Sequence, residues 1–394
     1  MNRVLVGGRL ASYGAAYFFA SGAFMSYWPV WLRDRGISDA EIGTLFMSRQ
    51  LVSVFSVLGI GYLAHRLGRL RDMLLMMAVA AIVMMGVYQL SYSFLALLLV
   101  GLVWACVWSP TMALYDGLLV NEAKARGFVY GNLRVWGSIA FIAGTLICGV
   151  SVDRFGPPSV LFVGWTGIAI LLPCALLLPA SGSSVHKGKG RAPFGLRDLF
   201  RNKSFMLFMI AAGFCQSSHA VLYSFGTLTW RGAGIDDVTI SALWGESVAV
   251  EILMMTLSGW LMQRIGVTGL IGLGLACCLV RWTGMAFTTA LPLLVVLQAL
   301  HAGTFAACHL GAMAFIQRSL PSNGTALGQS IYYALGTGAT QAVIYQFSGL
   351  LYARYGQLAF LGMTMVSALG LVSLLALARH WDGGLLVSES ARAR

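Results

Sequence analysis

Few charges occur in this chain of 394 residues, and those inside its apolar stretches are the ones that can do chemistry. They are Arg49, Asp116, Arg134, His219, Glu246, Glu251, Arg281, His301 and His309. A charge at membrane depth costs about 2.5–3.5 kcal/mol on insertion scales, so each of these side chains needs a reason. The forked guanidinium of Arg281 or Arg134 matches a carboxylate in bidentate fashion and can hold an organic anion in a low-dielectric cavity. Releasing that anion requires a competitor for the arginine. Asp116, Glu246 or Glu251, alternately protonated and ion-paired, or a histidine such as His309, can supply it. The same residues also suit plain ion pairs between helices, Asp116 with Arg134 and Glu251 or Glu246 with Arg281. The sequence leaves both readings open.

The elements that position these residues follow from composition. The chain is 58% hydrophobic and 10% charged, whereas a soluble globule carries roughly 25% charged residues. Runs of ~20 mostly apolar residues span a bilayer. Twelve are expected, at 10–32, 40–64, 73–91, 93–119, 130–152, 157–180, 204–230, 238–263, 267–288, 291–317, 325–352 and 357–380. The expected fold is therefore an all-α polytopic membrane protein of two six-helix bundles, 1–180 and 204–381. A basic cytoplasmic linker, 181–203, joins them, and 382–394 form a polar tail. Spans one, four, seven and ten open groups of three helices and are expected to surround a central cavity. Asp116, His219, His301 and His309 lie on them. So do Tyr17 and Trp108, each paired four residues away with another aromatic (Tyr13 and Trp104), which can stack on a flat substrate. Trp28, Trp31 and Trp282 fit a belt or packing role.

The net charge of +12 does not point to nucleic acid. Assigning loops alternately to the two sides puts eighteen of the 26 Lys and Arg on one side and five on the other. The positive-inside rule then makes both termini and the linker cytoplasmic. The seven cysteines all fall in the spans without metal-type spacing and read as apolar packing residues, so no metal site and no disulfide frame is expected. A nucleotide-driven pump would need G-x-x-x-x-G-K-[ST], which is absent, as is the H-E-x-x-H of a zinc hydrolase. The first apolar run is too long for a cleaved signal peptide.

One pattern recurs four times, with Gly first, Arg five residues later and Gly two beyond. The copies are Gly61-Arg66-Gly68, Gly149-Arg154-Gly156, Gly259-Arg264-Gly266 and Gly349-Arg354-Gly356. Each closes the second helix of a three-helix group, so the chain reads as four such groups, inverted in succession as in secondary transporters. The expected roles are close helix approach for the first Gly, headgroup anchoring for Arg, and a turn for the second Gly. The first copy, GYLAHRLGRLRD, resembles the loop between helices two and three of the major facilitator superfamily. The resemblance makes Gly61, Arg66, Gly68 and Arg69 a gating loop, with His65 where that family usually has Asp.

A sharper resemblance runs over about residues 10 to 380. GNLRVWGSIAF around Arg134, Asp116, QSSHAVLYSF around His219, LWGESVAVE ending at Glu251, and the stretch from Arg281 to His309 are similar to the phenylpropionate permease branch of that superfamily. This implies proton-coupled uptake of a small aromatic carboxylate by alternating access. Arg281, Arg134, His301, His219, Trp108 and Tyr17 would bind substrate, and Asp116, Glu251, Glu246 and His309 would carry protons or ion pairs. The more distant lactose permeases match the spacing of Asp116 with Arg134 and of Arg281 with His301, but their proton-carrying Glu is replaced by Thr304. A proton-coupled sugar or nucleoside symporter is the alternative. Export is less favoured, because the fifth span lacks the proline of drug exporters. The expected setting is a bacterial inner membrane, as a monomer among lipids. A small organic acid and protons would be its partners, and the proton gradient would stand in place of any cofactor.

Overall fold

Polar residues that satisfy free backbone N–H groups set the starts of several helices. Ser38 opens the second helix with a reciprocal cap: its hydroxyl accepts from the Glu41 N–H, and its own N–H donates to the Glu41 carboxylate at 2.9 Å. Ser93 caps the fourth by accepting from the Ala96 N–H. A computed structural model describes residues 3–179 and 195–386, the side chain of His65 excepted. Most of the expected linker and tail, including Lys187, Lys189 and Arg191, lie outside the described residues.

Among the described residues all regular structure is helical. Its first part consists of α1 (Arg3–Asp34), α2 (Asp39–Leu67), α3 (Leu70–Gln89), α4 (Phe94–Arg126), α5 (Tyr130–Phe155) and α6 (Ser159–Leu177). After the short α7 (Leu196–Arg201) come α8 (Lys203–Ser217), α9 (Ala220–Gly232), α10 (Asp237–Phe287) and α11 (Leu291–Ala299). A π-helical turn, Ala302–Ala307, leads into α12 (Cys308–Ser319). The chain continues with α13 (Thr325–Ile331), a second π-helical stretch at Tyr332–Ala339, α14 (Thr340–Tyr355), a 3-10 turn at Gly356–Ala359 and α15 (Phe360–His380).

Nine helical stretches among the described residues are long and apolar enough to cross a membrane. Two of them, Asp237–Phe287 and Thr325–His380, each hold two expected spans. With α1, which is 32 residues long, the six-plus-six order of twelve spans is complete.

The fourfold pattern acquires a backbone reason. Its closing glycines, Gly68, Gly156, Gly266 and Gly356, all have positive φ, at 64°, 79°, 67° and 55°. Any other residue is strained there, so each copy breaks the helix at a glycine. Gly68 takes the left-handed helical turn, with ψ of 17°, whereas Gly156, Gly266 and Gly356 pair their positive φ with ψ of 179°, -171° and -132°. The arginines of three copies lie over aromatic rings: Arg66 over Tyr62, Arg264 over Trp260 and Arg354 over Tyr355. The opening glycines differ from expectation. A Cβ at Gly61 or Gly259 would meet nothing within 4 Å, so close helix approach does not explain them. At Gly149 it does, because a Cβ there would strike Ser241, the Asp237 carbonyl and the Tyr27 hydroxyl.

Two compact units result, the first Met1–His186 with Tyr223–Gly245 and the second Lys187–Leu222 with Glu246–Arg394. In the first unit α1 packs on α5, α4 packs on α2, and α3 packs on α6. The first helix of each three-helix group thus meets the second helix of the other, the exchange expected of inverted repeats. Glycines allow the α1–α5 contact: a Cβ at Gly22 would collide with the Phe141 carbonyl, and one at Gly144 with the Phe19 carbonyl. The hairpin Tyr223–Gly245 joins this unit through buried hydrogen bonds. Tyr27 Oη donates to the Asp237 carbonyl at 2.5 Å and shares a bond with Ser241 Oγ at 2.6 Å. Thr227 Oγ1 donates to the Ser26 carbonyl at 2.6 Å.

The second unit is built on α8, which contacts α12, α14, α15 and both π-helical stretches. Its spans depart from the expected uninterrupted helices. The seventh breaks between Ser217 and Ala220, where Ser218 Oγ donates to the Cys215 carbonyl at 2.7 Å and His219 Nδ1 bonds the Gln216 carbonyl at 3.0 Å. Side chains there take the backbone acceptors that would have continued the helix. The tenth and eleventh spans widen into their π-helical stretches, which are frequent at functional positions.

Candidate functional site

Arg281, on the second half of α10, is fully buried at 0% exposure. Its guanidinium is met by one face of the tenth span. Nη1 donates to His301 Nδ1 at 2.9 Å and to Thr304 Oγ1 at 3.0 Å, and Nη2 donates to Gln298 Oε1. These residues follow one another at three-residue intervals, and the π-helical turn that begins after His301 carries Thr304.

Hydrogen-bond logic fixes the polarity of this cluster. A guanidinium only donates, so His301 Nδ1 accepts and the ring proton sits on Nε2. That nitrogen faces Glu251 Oε2 at 3.9 Å, beyond a direct hydrogen bond. A backbone carbonyl only accepts, so the His219 Nδ1 that meets Gln216 carries its proton. His219 Nε2 then accepts from the Thr304 hydroxyl at 3.0 Å. A directed chain therefore runs from Arg281 through Thr304 to His219 and the Gln216 carbonyl.

Aromatic rings surround these polar groups. Trp282 lies 4.9 Å from the Arg281 guanidinium and donates its indole N–H to Ser218 Oγ at 2.9 Å. His219 stands edge-on to Trp282 at 5.0 Å, and His301 stacks on Phe305 at 5.3 Å. Trp282 is fully buried beside the arginine, which selects packing over the belt among the two roles expected from sequence. Trp28 and Trp31 are buried as well, stacked at 4.7 Å, and serve packing.

The remaining expected residues of this unit are spread around the cluster. Glu246 lies within electrostatic reach of Arg281, and Glu251 faces the N–H side of His301. His309 stacks along the same helix on Phe305 at 6.4 Å.

The first unit holds a separate group. Arg134 Nε lies 3.8 Å from Asp116 Oδ1, and Tyr130 Oη donates to the same oxygen at 3.2 Å. The Arg134 guanidinium sits 4.0 Å above the Phe18 ring. Tyr17 stacks on Trp108 at 4.3 Å and Trp108 on Trp104 at 5.0 Å, forming one platform, while Tyr13 lies against Tyr115 at 5.2 Å. Arg49, Asp116 and Arg134 are all within electrostatic reach of Tyr17. The loop residues Arg66 and Arg69 are exposed at the end of α2.

Gln298 and Tyr130 were not legible as site residues. Each is a single neutral polar side chain whose partner only the fold reveals. The sequence signal for Gln298 was its three-residue step to His301 and Thr304.

Comparison with known proteins gives this geometry a context. The model of the MFS_1 like family matches residues 10–361. A protein of Escherichia coli (strain K12) named "Probable 3-phenylpropionic acid transporter" is 31% identical over 357 residues, 89% of this chain and 92% of that protein. The raffinose permease of Escherichia coli is 23% identical over 86% of this chain and 84% of its own. The crystal structure of the nucleoside transporter NupG superposes with a TM-score of 0.85 at 17% identity, covering 96% of this chain and all of that one. The chain belongs to the MFS_1-like family of the major facilitator superfamily and is a secondary transporter, a multi-pass membrane protein and not an enzyme.

Proposed function

We propose that the protein takes up a small aromatic carboxylate of the 3-phenylpropionate kind by proton-coupled alternating access. The observation that carries this reading is Arg281, a fully buried guanidinium whose His301, Thr304 and Gln298 partners are neutral acceptors set among aromatic rings. An incoming carboxylate offers a stronger, charge-assisted partner than any of these. The 31% identical relative named for 3-phenylpropionic acid supports the substrate class. In this reading Tyr17, Trp108, Arg134 and His219 also bind substrate. Asp116, Glu246 and His309 are secondary polar groups, and the loop of Gly61, Arg66, Gly68 and Arg69 gates the pathway.

Glu251 is the proposed proton carrier. Its carboxylate faces the N–H-bearing nitrogen of His301, whose other nitrogen is held by Arg281. A proton gained or lost at Glu251 is therefore felt at the anion's partner through one imidazole. The six-helix halves 1–180 and 204–381, joined by the basic stretch 181–203, are the bodies that alternate. The setting is a bacterial inner membrane, with both termini cytoplasmic and the protein acting as a monomer driven by the proton gradient.

A second reading is uptake of a sugar or nucleoside. The raffinose permease relative favours it, since Gln298, Thr304 and His219 can also bond hydroxyls. The deciding experiment is uptake of radiolabelled 3-phenylpropionate into proteoliposomes, with and without an inward proton gradient, for wild type and Arg281→Ala. Gradient-dependent accumulation lost in the variant is expected. No uptake of the acid by wild type, with uptake of a sugar or nucleoside instead, would transfer the assignment to the second reading.

A further inference from the structure

The guanidinium of Arg281 makes a contact to a residue outside the expected site. Gln298 is itself fully buried, on α11, and turns its side-chain oxygen onto Nη2. The orientation of the amide is fixed, because a guanidinium has only donors and Oε1 must be the atom that faces it. An amide oxygen is close in size and direction to one oxygen of a carboxylate, but it lacks the charge. The opposite terminal nitrogen, Nη1, is held by His301 and Thr304, so the plane of the fork is set from both ends.

We propose that Gln298 is a positioning residue that stands in for the substrate carboxylate on Arg281, and that its neutrality is what keeps the anion exchangeable. This rests on the aromatic-acid reading above. When the site is empty, the amide oxygen satisfies Nη2 and holds the fork aimed, so the buried donor is not left bare. When the carboxylate arrives it displaces a neutral acceptor and wins, because it brings a full opposite charge to the guanidinium and can bond it in bidentate fashion. When it leaves, Gln298 closes behind it. A carboxylate of the protein's own at this place would not yield. An apolar side chain would offer no oxygen to compete with the anion at Nη2, so the bound anion would be harder to release.

The two failures have opposite signs, and a purely structural role for Gln298 would not produce that. In Gln298→Glu the resident carboxylate occupies the fork. Binding of 3-phenylpropionate to the purified full-length protein, read by tryptophan fluorescence, should weaken by roughly tenfold or more. Binding of the neutral analogue 3-phenylpropanamide should change little. In Gln298→Leu the acid should bind at least as tightly as in wild type, while the exchange rate in proteoliposomes falls.

The proposal is overturned if Gln298→Glu binds the acid as wild type does, or loses acid and amide in parallel. It is also overturned if Gln298→Leu weakens the acid instead of holding it. The Leu variant decides the matter alone should the Glu variant fail to fold. If wild type itself binds no 3-phenylpropionate, the aromatic-acid reading falls and this proposal with it. If wild type binds and the variants do not separate, only the role of Gln298 falls.

Discussion

His219 Nε2 lies 3.0 Å from Thr304 Oγ1 while its other nitrogen is tied to the Gln216 carbonyl, so one hydroxyl links a broken helix to the buried arginine. Thr304 both accepts from Arg281 and donates to His219. Thr304→Val keeps the shape but removes both bonds, leaving two buried polar groups short of a partner. A loss of about 1–3 kcal/mol in stability is expected, together with loss of transport. Thr304→Ser should restore both. Thermal unfolding in detergent and substrate exchange in proteoliposomes check the pair, and a Val variant as stable and active as wild type would dissolve the chain.

Glu251 stands 3.9 Å from His301, which in turn bonds the arginine. If it carries the coupled proton, Glu251→Gln should abolish pH-driven accumulation while leaving exchange of labelled for unlabelled substrate measurable. Accumulation that survives the substitution moves the proton to another group.

The glycine pattern separates two residues that look equivalent in sequence. Gly68 has a φ of 64°, whereas a side chain at Gly61 meets open space. Gly68→Ala should destabilise by about 1–2 kcal/mol, and Gly61→Ala should leave folding unchanged or slightly improved. Equal effects of the two substitutions on thermal unfolding would mean that the turn does not need the left-handed backbone.

How much was legible follows the same line. The twelve spans, the fourfold pattern and Arg281 could be read, because composition, repetition and the cost of a membrane charge leave marks on single residue types. The break at Ser217–Ala220 could not, since it depends on which carbonyls Ser218 and His219 capture once folded. Trp282 reads like any belt tryptophan until its N–H is seen to meet Ser218. Asp116 and Arg134 were legible as a pair, but Tyr130, which shares the carboxylate, was not.

Tyr27 fastens the hairpin Tyr223–Gly245 with two buried bonds, one to a carbonyl and one to Ser241. Tyr27→Phe removes both and keeps the ring. A cost of about 1–3 kcal/mol is expected, with the hairpin more readily labelled by a thiol reagent after Thr239→Cys is introduced there. Labelling that stays at the wild-type rate would show the fastening to be redundant.

The exchange of partners between α1 and α5 also has a consequence for how the protein is made. The face of α1 that carries Gly22 fits the Phe141 carbonyl of a helix that starts at Tyr130. At ~5–20 residues per second, roughly a hundred residues separate the two on the ribosome, a wait of ~5–20 s. During that time α1 stands in lipid or beside the insertion machinery without its mate. A helix rich in small residues and of only modest apolarity is a poor lodger in hydrocarbon. Factors that shelter nascent helices should matter most for the first segment of this chain, and translation pauses before Tyr130 should lower its yield.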